Sequence, residues 1–462
     1  MSLLKTLSVQ MGVTMNLIVE LIKYMMILLI GIYTYYSFNV FRFRNKKQQD
    51  KAYNILTFII FVLHFVGYFT LFFQIQSQKL VILYGSEVLL FVLILALYGI
   101  FYPKLSRLLL RNMLMLLAVG FVVLTRISFD KAVRQVIIVG CSFLICLIIP
   151  HAVKSFYWLK RFGWIYGVMG IIFLLVVLIA GTTSNGATNW LDIAGFRIQP
   201  SEFVKLLFVF CIAAMFHEKT DFKRICAITT MAGANVLILV IQRDLGGALI
   251  FFITFIFMLY AATEKPLYLF SGLLAGSFAA FIAYKLFYHV RVRVMAWQNP
   301  FGYIDKEGFQ ISQSLFAIGT GGWFGMGLNR GLPTDIPVVE SDFIFSAISE
   351  EMGGLFALCI ILIYASCFVM FINIALDQED PFYRLLSIGF SVMFGFQVIL
   401  SIGGVIKFIP STGVTLPLIS SGGSSVLTTI LMFMIVQGIY LKSKSDKKVA
   451  ETAVTVEKEN LQ

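Results

Sequence analysis

Charged residues are scarce in this chain of 462 residues, at 13% of the sequence, whereas hydrophobic residues make up 59%. So few charges cannot cover so much apolar side chain in water, and the composition excludes an ordinary soluble domain. Apolar runs of about 18 or more residues recur along the chain, and such runs are typical of transmembrane helices. We therefore predict an all-α, polytopic membrane protein.

Metal-binding, redox and secretion motifs are also missing. The six cysteines lie inside apolar runs without C-x-x-C spacing and the four histidines are scattered, so we predict no disulfide framework and no protein metal site. No A-x-A-like cleavage site follows the first apolar segment, which we therefore expect to be retained. The net charge of +12 does not indicate nucleic-acid binding, because Lys and Arg gather in short loops where anionic lipid headgroups suffice as partners.

The apolar segments predict about thirteen spans. Three come first, near 13–40, 52–75 and 80–101, and the rest follow near 108–127, 132–149, 163–181, 201–216, 224–241, 245–263, 267–288, 343–375, 383–409 and 426–441. We expect residues 1–103 to form an N-terminal membrane extension of three helices, residues 104–441 the membrane core, and residues 442–462 a disordered tail.

Basic residues predict the orientation, because cytoplasmic loops are enriched in Lys and Arg. They gather at 42–51, 104–111, 154–161, 219–224 and 442–448, and Arg44 and Lys219 belong to these clusters. The pattern predicts a cytoplasmic C-terminus and an extracellular long loop at 289–342. Two other loops rich in Gly or Pro, 182–200 and 410–425, fall on the same predicted outer face, and this coincidence places the candidate site there.

Asp342 is the most informative residue of the long loop, because it directly precedes an apolar run that begins Phe343-Ile344-Phe345. A carboxylate at a membrane boundary is costly to desolvate, so it indicates a functional site. Partial burial would raise its pKa and make it a better base near neutral pH. The alternative is a helix N-cap aspartate without a chemical role.

The segment Gln199–Lys205 reads QPSEFVK, in which Pro200 ends an extended segment and Ser201 can cap the helix that follows. Glu202 and Lys205 are three residues apart, so they share a helix face and can form an ion pair. Either this pair only stabilises the start of the helix, or Lys205 offers positive charge to a phosphate while Glu202 orients it.

A second charged motif, Arg243-Asp244, stands in a turn between two apolar segments. The two charges either compensate each other, or Arg243 contacts a diphosphate, whose oxygens its guanidinium matches.

The other two motifs are loops. The long loop carries Gln310 and Gln313 and then the glycines 319, 321, 322, 325 and 327. Such glycines let backbone N–H groups approach a ligand, although a flexible loop gives the same pattern. The segment 410–425 reads PSTGVTLPLISSGGSS, cannot be a membrane helix, and must line a cavity or be buried in protein. Its residues Ser420 to Ser424 either donate to an anionic group or form a plain re-entrant turn; the four predicted to bind substrate are Ser421, Gly422, Gly423 and Ser424.

Together these motifs resemble the SEDS family (shape, elongation, division and sporulation), which includes RodA, FtsW and SpoVE. The matching stretches are QPSEFVK at 199–205, RDLGGALIF at 243–251, GFQISQSLFAIGTGGWFGMGL at 308–328, SDFIFSAISEEMGG at 341–354 and PSTGVTLPLISSGGSS at 410–425. The resemblance covers about 108–441 and implies a ten-helix core, with about three added N-terminal helices here. One departure is Lys407, which stands where glycine is usual.

The resemblance implies a peptidoglycan glycosyltransferase that polymerises lipid II, the undecaprenyl-diphosphate-linked disaccharide pentapeptide, with a class B penicillin-binding protein as transpeptidase partner. By position it makes Asp342 the family's essential acidic residue, which we expect to act as the catalytic base. The substrate-binding residues predicted with it are Gln199, Glu202, Lys205, Arg243, Asp244, Gln310, Gln313, Ser421, Gly422, Gly423 and Ser424. The only cofactor left open is Mg²⁺ or Mn²⁺ held with the substrate diphosphate. A lipid II flippase and a non-catalytic scaffold for the transpeptidase are the alternatives.

Overall fold

The computed structural model describes residues 2–43, 45–184, 187–193, 196–217 and 221–460. Side chains are described from Leu17 to Lys447 within these ranges, except at Tyr157, Ser184, Ile193 and Phe196. Arg44 and Lys219 of the predicted basic clusters lie outside the described residues.

The described residues form a helical protein with one small sheet. The helices are α1 (Ser2–Asn39), α2 (Lys46–Ile75), α3 (Gln78–Phe101), α4 (Arg107–Ile127), α5 (Phe129–Ile145), α6 (Ile149–Ser155), α7 (Gly163–Ala180), α8 (Pro200–Phe216), α9 (Phe222–Ile241), α10 (Leu245–Thr263), α11 (Pro266–Leu286), α12 (Tyr288–Gln298), α13 (Phe309–Gly321), α14 (Ile344–Met352), α15 (Gly354–Leu376), α16 (Pro381–Val405) and α17 (Gly423–Asn460). The antiparallel sheet, in the order β1 (Thr182–Ser184), β2 (Ala187–Ile193) and β3 (Phe196–Ile198), joins α7 to α8. The all-α prediction is confirmed apart from this sheet.

Twelve helical stretches of the described chain are long and apolar enough to cross a membrane. The further span predicted at 201–216 corresponds to α8, whose 17 residues are at the short end of the lengths that cross a membrane. Most of its side chains are buried, and it packs against α7, α10, α16 and α17. α8 is therefore an interior helix whose N-terminal end faces the loops of the candidate site.

Helix α4 lies in the centre of the fold, because nearly all of its side chains are buried. It packs against α2, α5 and α15, while α1 packs against α2 and α15. Tyr33 of α1 donates a hydrogen bond to Asn112 of α4 (3.0 Å), and Asn112 donates to Ser366 of α15 (3.1 Å). The N-terminal helices are thus packed into the core.

The predicted span at 343–375 is wrong as a single helix. The chain forms the nine-residue helix α14, breaks at Gly353 (φ +91°), and then continues as α15. The break makes room for the backbone of the long loop, because the N–H of Gly354 donates to the carbonyl of Gly322 at 2.8 Å. Every side chain of α14 is buried in protein, so Asp342 precedes an interior helix and not a membrane span.

The stretch predicted as a disordered tail continues a helix over the described residues. Helix α17 begins at Gly423 and continues to Asn460. Its cationic stretch is held by the end of α15, because Lys447 pairs with Asp377 at 2.8 Å and the Ser443 hydroxyl donates to the Asp377 carbonyl at 3.2 Å. By contrast, 410–422 contains no helix, as the prolines and glycines predicted.

Candidate active site

Three loops converge on one cavity of about 780 Å³. Its walls come from the small sheet, the N-terminal ends of α8 and α10, α12, and the loop segments 338–342 and 411–425. The loops predicted to share one face of the molecule therefore meet. The predicted residues that line this cavity are Gln199, Glu202, Lys205, Arg243, Asp244, Gln310, Asp342, Ser421, Gly422, Gly423 and Ser424.

Gln313 is the predicted site residue that the structure places elsewhere. It lines a separate cavity of about 230 Å³, together with Arg330 and Glu350. Residues three apart on an α-helix point about 60° apart. Helix α13 therefore presents Gln310 to the main cavity and Gln313 to the smaller one.

Asp342 lies in a turn, where its N–H donates to the carbonyl of Val338 at 3.2 Å. Its carboxylate faces Gly413, where an added Cβ would stand 3.4 Å from Oδ2. The N-cap of α14 is Phe343 and no side chain caps that helix, so the alternative of a capping role for Asp342 is wrong.

Burial raises the pKa of the Asp342 carboxyl. The Ser341 hydroxyl and the positive charge of Arg293 lower this pKa, while the negative charge of Glu340 raises it. The direction is the one expected of a carboxylate that accepts a proton near neutral pH.

Arg293 of α12 is a site cation that the sequence analysis did not include among the predicted residues. Its guanidinium donates to the carbonyl of Ser411 at 3.2 Å. Burial lowers its pKa, and the carboxylates of Asp244 and Asp342 raise it. An arginine keeps its proton under such shifts, so a positive charge stands beside Asp342.

Arg243 also faces the cavity, from a turn in which its own backbone is left-handed (φ +63°). Within the described chain its exposed guanidinium has no hydrogen bond or ion pair to another residue. Nearby, burial lowers the pKa of His289, and the positive charges of Arg243 and Arg293 lower it further. Two arginines, Arg243 and Arg293, therefore stand at this side of the cavity.

Asp244 has a structural role in the turn. Its carboxylate accepts from the N–H of Gly247 (2.9 Å), which caps α10, and from the amide of Asn189 in β2 (3.2 Å). Arg243 and Asp244 therefore do not form the mutual ion pair that was one of the two predicted alternatives.

The predicted ion pair between Glu202 and Lys205 is present, at 2.8 Å. Lys205 is buried and also donates to Oε1 of Gln397 at 2.9 Å, while the Thr428 hydroxyl donates to Glu202 at 3.0 Å. The Gln397 amide in turn donates to the carbonyl of Thr415 at 3.2 Å. The pair is fixed from α16 and α17, which agrees with the structural alternative and still leaves Lys205 at the cavity wall.

The serine-rich loop is tied to the segment that carries Asp342. The N–H of Ser421 donates to the carbonyl of Glu340 (2.8 Å), and the Ser420 hydroxyl donates to the carbonyl of Ser341. On the other side of the cavity, the N–H of Gln199 donates to the Ser424 hydroxyl at 3.0 Å. This loop therefore holds the walls of the cavity together.

Two glycines of the long loop, Gly321 and Gly325, serve backbone packing instead of ligand approach. An added Cβ at Gly321 would lie 2.1 Å from the carbonyl oxygen of Ser349, and one at Gly325 would lie 2.4 Å from that of Glu351. Neither glycine lines the main cavity. The prediction of N–H groups from these residues at a ligand is therefore wrong.

Lys131 at the start of α5 is a further cation that the sequence analysis missed. It lines the cavity and forms an ion pair with Glu340. The sequence held a signal for it: Lys131 stands on a connection predicted to be extracellular, with Arg126 and Arg134 close to its two ends, against the usual bias of basic residues.

The donor set does not form a protein-only metal cage. No group of three or more His, Cys, Asp or Glu that could hold an ion occurs among the described residues. Of the carboxylates at the cavity, Asp244 and Glu202 are committed to neighbours. The arrangement fits a divalent cation held mainly by phosphate oxygens with Asp342 nearby.

A family model described as "Cell cycle protein", for FtsW, RodA and SpoVE, matches residues 105–445. The chain belongs to this FtsW/RodA/SpoVE family. The resemblance predicted from the motifs is confirmed, and the match leaves α1–α3 outside it.

Curated relatives of the family are about one third identical to the chain over the aligned residues. Peptidoglycan glycosyltransferase RodA of Mycobacterium tuberculosis is 34% identical over 306 residues, which are 61% of this chain and 64% of the relative. Stage V sporulation protein E of Bacillus subtilis is 35% identical over 318 residues, 66% of this chain and 85% of the relative. The chain thus spans a little under two thirds of the length of the RodA relatives it matches.

Solved structures show the same fold. RodA of Thermus thermophilus superposes with a TM-score of 0.56 at 24% identity, covering 73% of this chain and 97% of that one. A chain from a structure described as a peptidoglycan synthase complex that coordinates polymerization and crosslinking gives a TM-score of 0.63 at 22% identity, covering 74% and 99%. The SEDS-type membrane fold is therefore confirmed.

Proposed function

We propose that the chain is a peptidoglycan glycosyltransferase that polymerises lipid II into glycan strands by an inverting transfer. The observation that carries this function is the cavity itself, which brings a carboxylate of raised pKa, Asp342, together with two arginines, Arg243 and Arg293. Membership of the FtsW/RodA/SpoVE family and the names of its curated relatives support the same reaction.

The reaction needs a base and a positive site for the leaving group. The 4-hydroxyl of one terminal sugar attacks the anomeric carbon of another, a new C–O bond forms there, and the bond to the diphosphate oxygen breaks. Asp342 takes the hydroxyl proton, and undecaprenyl diphosphate leaves with the electron pair. Because the donor is α-linked and the product β-linked, one inverting displacement suffices.

The departing diphosphate is assigned to the cations of the cavity. Arg243 has no partner within the described chain, so its guanidinium offers a two-point contact to phosphate oxygens without first breaking a bond. Arg293 stands between Asp342 and the 411–415 segment and contributes charge at close range. Lys205 acts less directly, because Glu202 and Gln397 already hold its ammonium.

A divalent cation, Mg²⁺ or Mn²⁺, fits the site only together with the substrate diphosphate. When bound it would neutralise charge on the leaving group. The carboxylates available to it are Asp342, Glu307 and Glu340, and Glu340 is otherwise paired with Lys131.

The cellular setting belongs to the same proposal. The multi-pass chain lies in the cell membrane with its C-terminus in the cytoplasm and the loops of the cavity outside. A class B penicillin-binding protein is the expected transpeptidase partner, which agrees with the synthase complex that shares the fold. The process served is cell-wall synthesis in shape, division or sporulation, the roles in the names of its relatives.

Polymerisation in detergent tests the function. Purified protein, with its transpeptidase partner, is incubated with labelled lipid II, and products are separated by size. We expect glycan polymer from the wild type and none from Asp342→Ala, with folding and partner binding unchanged. A flippase would move lipid II across liposomes without polymer, and a scaffold would do neither; either result, or an inactive wild type, overturns the proposal.

A further inference from the structure

The N-terminal helices outside the family match make specific contacts with the long loop. Lys23 of α1 donates from Nζ to the carbonyl of Gly325 at 3.1 Å and pairs with Glu20 at 2.6 Å. Glu20 also pairs with Arg330 at 3.6 Å, and the ring of Tyr24 meets that of Phe324 edge-on at 5.6 Å. Helix α1 thus holds both ends of the loop segment 324–330.

Helix α2 holds the middle of the same segment. The side-chain amide of Gln74 donates to the carbonyl of Leu328 at 3.0 Å, and its Oε1 accepts from the amide of Asn329 at 2.8 Å. The donor and the acceptor of one side-chain amide therefore bind two consecutive loop residues. Such a two-point contact fixes a loop in position as well as near the helix.

The held segment lies directly against the C-terminal end of α14. The N–H groups of Met326 and Gly327 donate to the carbonyls of Glu350 and Glu351 at 2.9 and 2.8 Å. The buried Glu351 carboxylate accepts from the N–H of Asn329 at 3.1 Å. Any shift of the segment is therefore passed to this end of α14.

Asp342 stands just before the other end of α14. The helix has nine residues and is about 14 Å long. Because all of its side chains are buried, it moves as a packed rod and not as a flexible linker. The contacts of α1 and α2 at one end consequently bear on the carboxylate at the other.

The extension is itself anchored firmly enough to act in this way. Buried Glu87 of α3 accepts from the hydroxyl of Tyr68 in α2 (2.8 Å) and bonds to His64 (2.7 Å). Tyr68 also bonds to Thr125 of α4 (2.7 Å). The next residue, Arg126, pairs with Glu351 at 3.0 Å, so one chain of contacts joins the extension to the end of α14.

We propose that Lys23 and Gln74 of the N-terminal extension are positioning residues, which hold the 324–330 segment and, through α14, set the place of Asp342. The inference rests on the proposed function for its catalytic consequence. The contact itself does not depend on that function. The extension would then be part of the active enzyme, and not only a membrane anchor.

The test compares the full-length double variant Lys23→Met/Gln74→Ala with the wild type. Hydrogen exchange should speed up about tenfold in the amides of Gly325–Arg330, because two sets of hydrogen bonds to the segment are lost. In lipid II polymerisation kcat should fall about tenfold while KM stays within about twofold, since Asp342 is displaced and the cavity's binding groups are not. The single variant Lys23→Arg should retain most of the kcat that the single variant Lys23→Met loses.

Matched controls come from the same region. Gln78→Ala and Lys79→Met change exposed residues of α3, and both should behave as the wild type. Unchanged exchange in the segment, or faster exchange with unchanged kcat, overturns the inference, as does an equal loss in the control variants. A wild type that makes no glycan overturns the proposed function instead, and the exchange data then still show whether the extension holds the segment.

Discussion

Substitution of one glycine should separate the packing of the long loop from its chemistry. Gly325 has φ +74°, and an added Cβ would lie 2.4 Å from the carbonyl oxygen of Glu351 and 2.6 Å from the N–H nitrogen of Gly353. Both neighbours are backbone, so neither can rotate away. Gly325→Ala must therefore push the loop segment and the end of α14 apart.

The size of the effect follows from these distances. An ordinary contact needs about 3.4 Å, so the two backbones must separate by roughly 1 Å, and the left-handed backbone of an alanine costs about 1–2 kcal/mol more. A displacement of that size at a catalytic group costs about 10²-fold in rate. We expect kcat for lipid II polymerisation to fall about a hundredfold, with a lower unfolding temperature.

Gly319→Ala is the control. Gly319 lies six residues earlier in α13, and an added Cβ there meets nothing within 4 Å. Alanine favours a helix over glycine by up to about 1 kcal/mol, so this variant should keep its activity and lose no stability. Equal activity of Gly325→Ala and Gly319→Ala, measured with the same lipid II assay, would refute the packing argument.

Three further predictions use charges and backbone. The rate of polymerisation should rise with pH through the raised pKa of Asp342, because only the deprotonated carboxylate is a base. Arg293→Gln removes a positive charge that lowers this pKa, so the acid limb of the pH–rate profile should move to higher pH. An acid limb that does not move would count against Asp342 as the base. Arg126→Met removes the ion-pair partner of the buried Glu351 and should lower the free energy of unfolding by about 3 kcal/mol, measured by thermal unfolding. Adding Glu351→Gln should recover part of this loss, and an unchanged unfolding midpoint in Arg126→Met would contradict the importance of the buried pair. The backbone of Lys407 is in the left-handed region (φ +59°), so Lys407→Gly should raise the thermal unfolding midpoint by about 2 °C. A lower midpoint would show that the lysine side chain stabilises the turn.

Much of the architecture was predictable because it depends on local composition. Long apolar runs are typical of spans, and the prolines and glycines of 410–425 exclude a membrane helix there. The ion pair of Glu202 and Lys205 follows from their spacing on one helix face. Lys407, at a position where glycine is usual in the family, has the left-handed backbone conformation that glycine favours.

The remainder depends on contacts between distant parts of the chain. The break at Gly353 exists because the backbone of Gly322 and Trp323 runs beside it, and no local pattern in 343–375 reveals that neighbour. Arg293 and Lys131 join the cavity through folding of α12 and α5. Sequence periodicity gives the face of each helix but not which helix stands opposite.

One comparison tests the central claim that Asp342 is the base. Lipid II turnover is measured for Asp342→Asn and for Asp305→Asn, an exposed acid of the same long loop. Removal of a general base costs about 10²–10⁴-fold, so we expect at least a hundredfold loss for Asp342→Asn and wild-type turnover for Asp305→Asn. An Asp342→Asn protein that binds lipid II and polymerises it at the wild-type rate would contradict the account.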